Sequence, residues 1–432
     1  MQRRDFFRAF AAIGLSPALN LPVAGKSPPT PAPRAQAPWP APGSAHYWTW
    51  IREQFDVPPD ETYFNVGTYG ARPRQVTDAV VNHLREIDRT ITHYDYRPEH
   101  PSYFAGYHKY EELREKVGSL INARGREVAL VQNSTMGSNF IAHGLDLKAG
   151  DEVLITDQEH PGALGPWELR EKRDGIRVRK LAIGAPPADP GEVLRVVTEA
   201  IGPRTRVIAV PHITSKLGIV LPVREICELA RPRGIFTVID GAQAVGQLRV
   251  DVKAIGCDAY VTSPHKWLLA PAGNGLLYVR EERMKDVWAT LASATWNDYQ
   301  PADGVFRLMQ FGTGSLGLLV GLEAAIDFYK KVGAERIEQR ILELSSRLRA
   351  GLGQIPRARI YSPTHAALAC GLVAWGIEGV TGPRLMDEMW NRRKIRVRSV
   401  DDKMVRQSAH FYNRPEEIDA TLATARDLAL GK

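Results

Sequence analysis

The sequence predicts an α/β protein: a large domain on a mainly parallel sheet covered by helices, followed by a smaller α+β domain. Three observations predict it. From about residue 127, short apolar runs alternate with amphipathic stretches of helical length. Those runs are almost continuously apolar rather than alternating, as expected of strands buried on both faces. After about residue 315 the texture changes to one long helical stretch and a mixed tail.

In chain order, "EVALVQNS" (127–134) reads as a strand and "TMGSNFIAHGLDL" (135–147) as a helix opening on small residues. "DEVLITDQEH" (151–160) is strand-like, "ALGPWELREKRDG" (163–175) helical and "IRVRKLAI" (176–183) a strand. "RTRVIAVPHI" (204–213), "IFTVIDGAQ" (235–243), "CDAYVTSPHK" (257–266) and "NGLLYVR" (274–280) complete the strands, with a helix at "VREICELARPRG" (223–234). Residues 316–353 read as one helical span and "ALACGLVAWGI" (367–377) as a strand. The expected organisation is a large domain over 76–315 and a smaller one over 316–432, joined by an N-terminal segment, 44–75.

Composition bounds the function class. With 44% hydrophobic and 24% charged residues, the 432-residue chain resembles an ordinary globular protein. Its net charge of +7 is scattered through runs such as "REKRDGIRVRK" and "NRRKIRVRS" without interleaved aromatics, which argues against nucleic-acid binding. Cys227, Cys257 and Cys370 form neither a metal spacing nor a disulfide framework. The N-terminus, "MQRRDFFRAFAAIGLSPAL", pairs Arg3 with Arg4 ahead of Phe6, Phe7 and a short apolar stretch. It resembles a twin-arginine export signal (1–25), implying the export machinery as a partner and a periplasmic location; a basic amphipathic arm is the other reading. Residues 26–43 are Pro-rich and read as an extended linker. No stretch is long and apolar enough for a stable membrane span.

In an open α/β sheet, ligands bind beyond the carboxyl ends of the strands. Five strand ends here carry polar or titratable groups: Asn133-Ser134-Thr135, Glu159-His160, His212, Asp240 with Gln243, and Ser263-x-His265-Lys266. Ser134 and Thr135 open a helix and suit an anion, though they also read as a plain cap, with Gly137 allowing close approach. Asp240 follows "FTVI" and needs a cationic partner, or is a satisfied structural aspartate. His160, before Pro161-Gly162, offers a ring face or is a loop histidine. Lys266 precedes Trp267-Leu268-Leu269, an apolar setting that favours an unprotonated amine; the plain alternative is a snorkelling side chain. Together the groups describe one ligand with a phosphate, a basic ring nitrogen, a ring hydroxyl and an aldehyde, namely pyridoxal 5'-phosphate.

"VIDGAQAVGQ", "TSPHKW" and "QEHPGALGPW" resemble the class V aminotransferases of pyridoxal phosphate fold type I. "YFNVGTYGARPRQV", "VQNSTMGSNFIAHGLDLKAGDEVLITDQEH" and "VRQSAHFYNRPEEID" are most similar to the isopenicillin N epimerase branch. The resemblance spans about Thr62 to Leu428. It implies Lys266 as the lysine that takes the cofactor aldehyde, Asp240 on the pyridine nitrogen, Gln243 near the ring oxygen and His160 stacked on the ring. It implies Ser134, Thr135, Ser263 and His265 on the phosphate, with Thr313 of "GT" reaching the phosphate of a neighbouring subunit in a homodimer. Arg406, with Arg398 as a second candidate, matches the grip on a substrate carboxylate. His212 stands where desulfurases carry asparagine.

The reaction stays open between epimerisation, transamination and a C–S or C–C lyase. A desulfurase is disfavoured because "SVDDKMVR" (399–406) holds no cysteine. Some exported relatives tailor pyoverdine siderophore peptides, and the aromatic stretch 92–110 offers a peptide-sized mouth or ordinary packing. A non-catalytic protein retaining the pocket is the alternative of another class. "GTGSLG" (312–317) fits a dinucleotide fingerprint but lacks the returning strand and acid; no metal site is expected.

Overall fold

The computed structural model describes residues 38–95, 97, 109–184, 186–293 and 303–432. The export-signal reading (1–25), most of the linker and most of the aromatic stretch 92–110 lie outside them. The chain divides into Met1–Ser44 and Ala45–Lys432. Of the first unit the described part is a turn in which Ser44 N–H donates to the Ala41 carbonyl, 3.1 Å. All that follows concerns the second.

Its main sheet has seven strands: β2 (Val128–Val131), β3 (Glu152–Thr156), β4 (Arg177–Leu181), β5 (Thr205–Pro211), β6 (Phe236–Asp240), β7 (Ala259–Thr262) and β8 (Gly275–Val279). The spatial order is β2-β8-β7-β6-β5-β3-β4. Only β8 runs against the others, pairing antiparallel with β2 and β7. Every residue of β2, β7 and β8 is buried, which is why these segments read as unbroken apolar runs. Each of the seven coincides with a strand expected from the sequence.

Two helical expectations need correction. A helix at Pro190–Ala200, between β4 and β5, is absent from the sequence reading. It buries Val193, Val197 and Ala200 at spacings of four and three, and Asp189 caps it by accepting the Gly191 and Glu192 N–H groups. The single span over 316–353 is two helices, Leu316–Val332 and Ala334–Leu352, broken at Gly333, whose φ of +98° leaves the helical region.

A second sheet is antiparallel, ordered β12 (Arg398–Ser399), β13 (Val405–Ser408), β10 (Leu372–Ile377), β9 (Ala358–Ile360). Helices Ala334–Leu352, Gly382–Arg393 and Pro415–Ala429 supply Leu344, Leu348, Leu385, Met389 and Ile418 to the core behind it, around Trp375. The N-terminal segment joins this region: β1 (Thr62–Tyr63) pairs in parallel with β11 (Ile395–Arg396), and Phe64 enters the same core. Ser408 N–H donates to the Phe64 carbonyl at 2.8 Å, so the loop after β1 lies beside the end of β13. Among the described residues no helix is long and apolar enough to cross a membrane.

Candidate active site

The carboxyl end of β6 sets the centre. Asp240 is its last residue, and its Oδ1 accepts the Ala242 N–H at 2.9 Å. Burial pushes the carboxyl up, while Lys266 acts against that shift. The next strand, β7, delivers Ser263, His265 and Lys266 on a turn. Lys266 is only 9% exposed and makes no ion pair with any described residue. Burial lowers its amine to about 8; Asp240 pulls it up, and Arg406 and Arg398 push it further down.

The wall behind Lys266 is rigid and dry. The Trp267 indole N–H donates to Gln243 Oε1 at 2.7 Å, and the ring stacks on His410, whose Nε2 lies 2.9 Å from the Trp267 carbonyl. Gly246, at φ +102°, lets its backbone pass where a Cβ would stand 2.4 Å from Trp267. Leu269 adopts φ +62°, at a cost of about 1–2 kcal/mol for a residue with a side chain. Gly70 closes the other side: its N–H donates to the His265 carbonyl at 2.8 Å, and a Cβ there would meet the Lys266 carbonyl oxygen.

The phosphate candidates converge. Ser263 Oγ accepts the Ser134 N–H and donates to Ser134 Oγ, both at 2.9 Å, tying the β7 turn to the helix Ser134–Gly144. Asn133 caps that helix through the Met136 N–H. Thr135 is exposed, and its Oγ1 lies against Gly162, where a Cβ would be 2.2 Å away; this absence of a side chain brings the β2 and β3 ends together. His265 Nδ1 is buried without a partner, and burial with Lys266 nearby lowers the ring to about 4. Gly137 serves a different purpose from that expected: its missing Cβ makes room for Val261 of β7, not for a ligand.

His160 caps the helix Pro161–Asp174, with Nδ1 accepting the Gly162 N–H at 3.1 Å. Burial and Lys266 hold its pKa below the ordinary value, so the ring is neutral with its proton on Nε2. His212 is half-buried and turned to the Tyr260 hydroxyl at 2.9 Å; desolvation of its ring lowers it to about 4. Gln243 is largely committed: besides accepting from Trp267, its Nε2 donates to the Gly67 carbonyl at 2.8 Å, leaving one amide hydrogen for a ligand oxygen.

Two arginines meet above this floor. Arg406, in β13, is buried and donates to the Ser215 carbonyl (2.7 Å), Thr68 Oγ1 (2.7 Å) and Asn65 Oδ1 (3.3 Å). Arg398 donates to the same Thr68 hydroxyl at 3.0 Å. Neither pairs with a carboxylate of the described residues, and Arg406 Nε is a buried orphan. Burial and Arg398 lower the Arg406 guanidinium to about 9. Thr68, Asn65 and Tyr69, whose ring stacks on His265 at 5.8 Å, received no role from the sequence although "YFNVGTYG" contains them. Thr313 is exposed and makes no side-chain hydrogen bond within the described chain. No cluster of metal-ligating residues occurs among the described residues.

This donor set fits pyridoxal phosphate. It offers a buried amine, a half-buried carboxylate paired with no arginine, an orphaned imidazole nitrogen beside serine hydroxyls at a helix start, and a neutral histidine ring.

Comparison with known proteins agrees with that fit. The Aminotransferase class-V family model matches residues 67–421. The chain is similar to isopenicillin N epimerase of Streptomyces clavuligerus, at 31% identity over 401 residues, 89% of this chain and 99% of the relative. It is also similar to a probable cysteine desulfurase of Xylella fastidiosa, at 30% identity over 386 residues, covering 84% and 89%. Among solved structures, the cystine C–S lyase C-DES, captured with glycine covalently linked to its PLP cofactor, superposes with a TM-score of 0.78 at 26% identity, covering 87% of this chain and 99% of that one. The chain therefore belongs to the class V aminotransferase family and is a pyridoxal phosphate-dependent enzyme of fold type I.

Proposed function

We propose that this enzyme acts at the α-carbon of an amino acid, or of a peptide bearing a free amino-acid end, as an epimerase or transaminase. The observation that carries this reading is a buried, unneutralised Arg406 beside a buried, unneutralised Lys266. A substrate carboxylate satisfies the first while the α-carbon stands within reach of the second. Bound pyridoxal phosphate supplies an electron sink for charge developing at that carbon.

The chain's own residues do the rest. Asp240 would hold a proton on the ring nitrogen. Lys266, with its amine lowered to about 8, is basic enough to take the α-proton and carries a larger unprotonated fraction near neutral pH than an ordinary lysine. Arg406 and Arg398, held together by Thr68, orient the carboxylate. His160, fixed by the Gly162 N–H, would stack on the ring, and Ser134, Thr135, Ser263 and His265 would hold the phosphate. His212 supports this floor through Tyr260. The exposure of Thr313 supports a contact with the phosphate of a partner subunit, and with it a homodimer as the active form.

A cavity of about 360 Å³ supports a substrate larger than a free amino acid. Tyr63, Tyr69, Arg72, Trp390 and Arg396 line it, and Tyr69 also touches the Lys266 turn through His265. With the twin arginines of the N-terminus, this favours an exported enzyme that tailors siderophore peptides of the pyoverdine kind. Cell fractionation of an Arg3→Lys, Arg4→Lys variant tests export: loss of the periplasmic pool is expected, and an unchanged pool refutes it.

A desulfurase that parks sulfur on its own cysteine is disfavoured. All three cysteines are buried, and burial raises Cys227 to about 12 and Cys370 to about 11. A C–S lyase remains the second reading, favoured by the 26% identity to C-DES. The deciding experiment incubates the purified holoenzyme with amino acids and siderophore-type peptides and measures product mass and stereochemistry. Unchanged mass with inverted configuration marks epimerisation; exchange of amine for carbonyl marks transamination. Loss of a β-substituent supports the lyase, and a spectral shift without product leaves a binding protein.

A further inference from the structure

Glu159 carries polar chemistry at a strand end, yet nothing above uses it. It sits on the turn after β3, half-buried, with its side chain reaching into the floor. Its Oε1 accepts twice from one residue, from the Thr156 hydroxyl at 2.7 Å and the Thr156 N–H at 3.1 Å. Its Oε2 makes no hydrogen bond with any described residue. Glu159 and Asp240 both line a void of about 10 Å³, whose other lining is apolar, Ile155, Trp167 and Val238 among it, apart from Ser138. That volume holds about one water.

We infer that Glu159 is a positioning residue for Asp240: as a neutral acid that keeps its proton, it donates a hydrogen bond to one bridging water, which donates in turn to the Asp240 carboxylate and keeps that carboxylate charged and aimed. Two carboxylates facing one small, largely apolar void cannot both ionise at low cost, and their surroundings decide which keeps the proton. Asp240 has Lys266 and the Ala242 N–H to stabilise its charge, whereas Glu159 faces Asp240 and Asp157. Burial raises the Glu159 carboxyl to about 8, consistent with a protonated form at neutral pH. The inference holds whichever reaction the enzyme performs, because it concerns the charge on Asp240 alone.

The competing role is structural, with Glu159 doing no more than closing the turn to Thr156. Infrared difference spectra of the cofactor-free chain separate the two. The wild type at pH 7 should show a neutral-carboxyl stretch that Glu159→Gln lacks and that fades above about pH 8. Carbon-13 NMR of labelled aspartate then follows Asp240. Glu159→Leu should move its titration upward by about one pH unit, while Glu159→Gln, which keeps a donor, should move it far less. Identical neutral-carboxyl bands in wild type and Glu159→Gln overturn the proposal, as does an Asp240 titration unmoved in Glu159→Leu. Should Glu159→Leu fail to fold, the infrared comparison decides by itself.

Discussion

Asp240 and Asp258 occupy neighbouring strands of the main sheet at opposite ends, and their surroundings differ in kind. Asp258, just before β7, accepts from the Thr237 N–H (2.8 Å) and hydroxyl (3.1 Å), and ion-pairs with Arg280 and, at 3.6 Å, Arg283. Asp240, at the end of β6, receives one backbone N–H and no arginine. The arginines repeat the contrast. Arg170 donates to the carbonyls of Ala142, Leu145 and Leu147 and ion-pairs with Asp174. Arg406 is equally buried but meets no acid. Charges of the first kind are closed within the fold. Those of the second are left open along the carboxyl edge, where a ligand completes them.

The largest expected break comes at the amine. Lys266→Ala should cut turnover by roughly 10²–10⁴-fold or more while circular dichroism stays native; retained turnover would remove the lysine from the chemistry. Next comes the aspartate pair. Asp258→Asn should cost about 1–3 kcal/mol in denaturant titration, because it removes the charge from a buried acid that accepts from Thr237 and pairs with two half-buried arginines. Asp240→Asn should leave the cofactor-free stability within about 1 kcal/mol and instead weaken cofactor retention and turnover. Equal destabilisation by both would erase the distinction between the two edges.

Arg406→Lys should lose about 1.5–3 kcal/mol of carboxylate binding, read as a roughly 10- to 150-fold rise in KM with unfolding unchanged. The smallest effect is on pH. An amine lowered to about 8 binds a proton less readily than in the unfolded chain, where the reference is 10.5. Between those values the unfolded chain carries the extra proton, so cofactor-free stability should rise with pH across that window. Cofactor uptake should likewise accelerate up to about pH 8 and then level off; an inflection near 10 would mean an ordinary exposed lysine.

The edge strand β4 of the main sheet is mostly exposed and showed itself as Ile176, Val178 and Leu181 between charged residues. The other six of the seven strands were legible because burial leaves nearly unbroken apolar runs. The helix Pro190–Ala200 was not, since the proline-rich "APPADP" before it reads as loop although Asp189 is a sound cap. Strand-end residues such as Asp240 and Lys266 were legible because strand direction alone sends them to one edge. Thr68, Asn65 and Tyr69 were not: they reach the site through the pairing of β1 with β11, more than 300 residues later, which no local pattern records. Gln243 was legible as a site residue, but its engagement with Trp267 and Gly67 depends on tertiary packing.

Borohydride reduction of the holoenzyme, followed by peptide mass mapping, tests the central claim most directly. A reduced pyridoxyl adduct on Lys266, lost in Lys266→Ala, is the predicted result. An adduct on a different lysine, or a cofactor that washes away from every peptide, would contradict it.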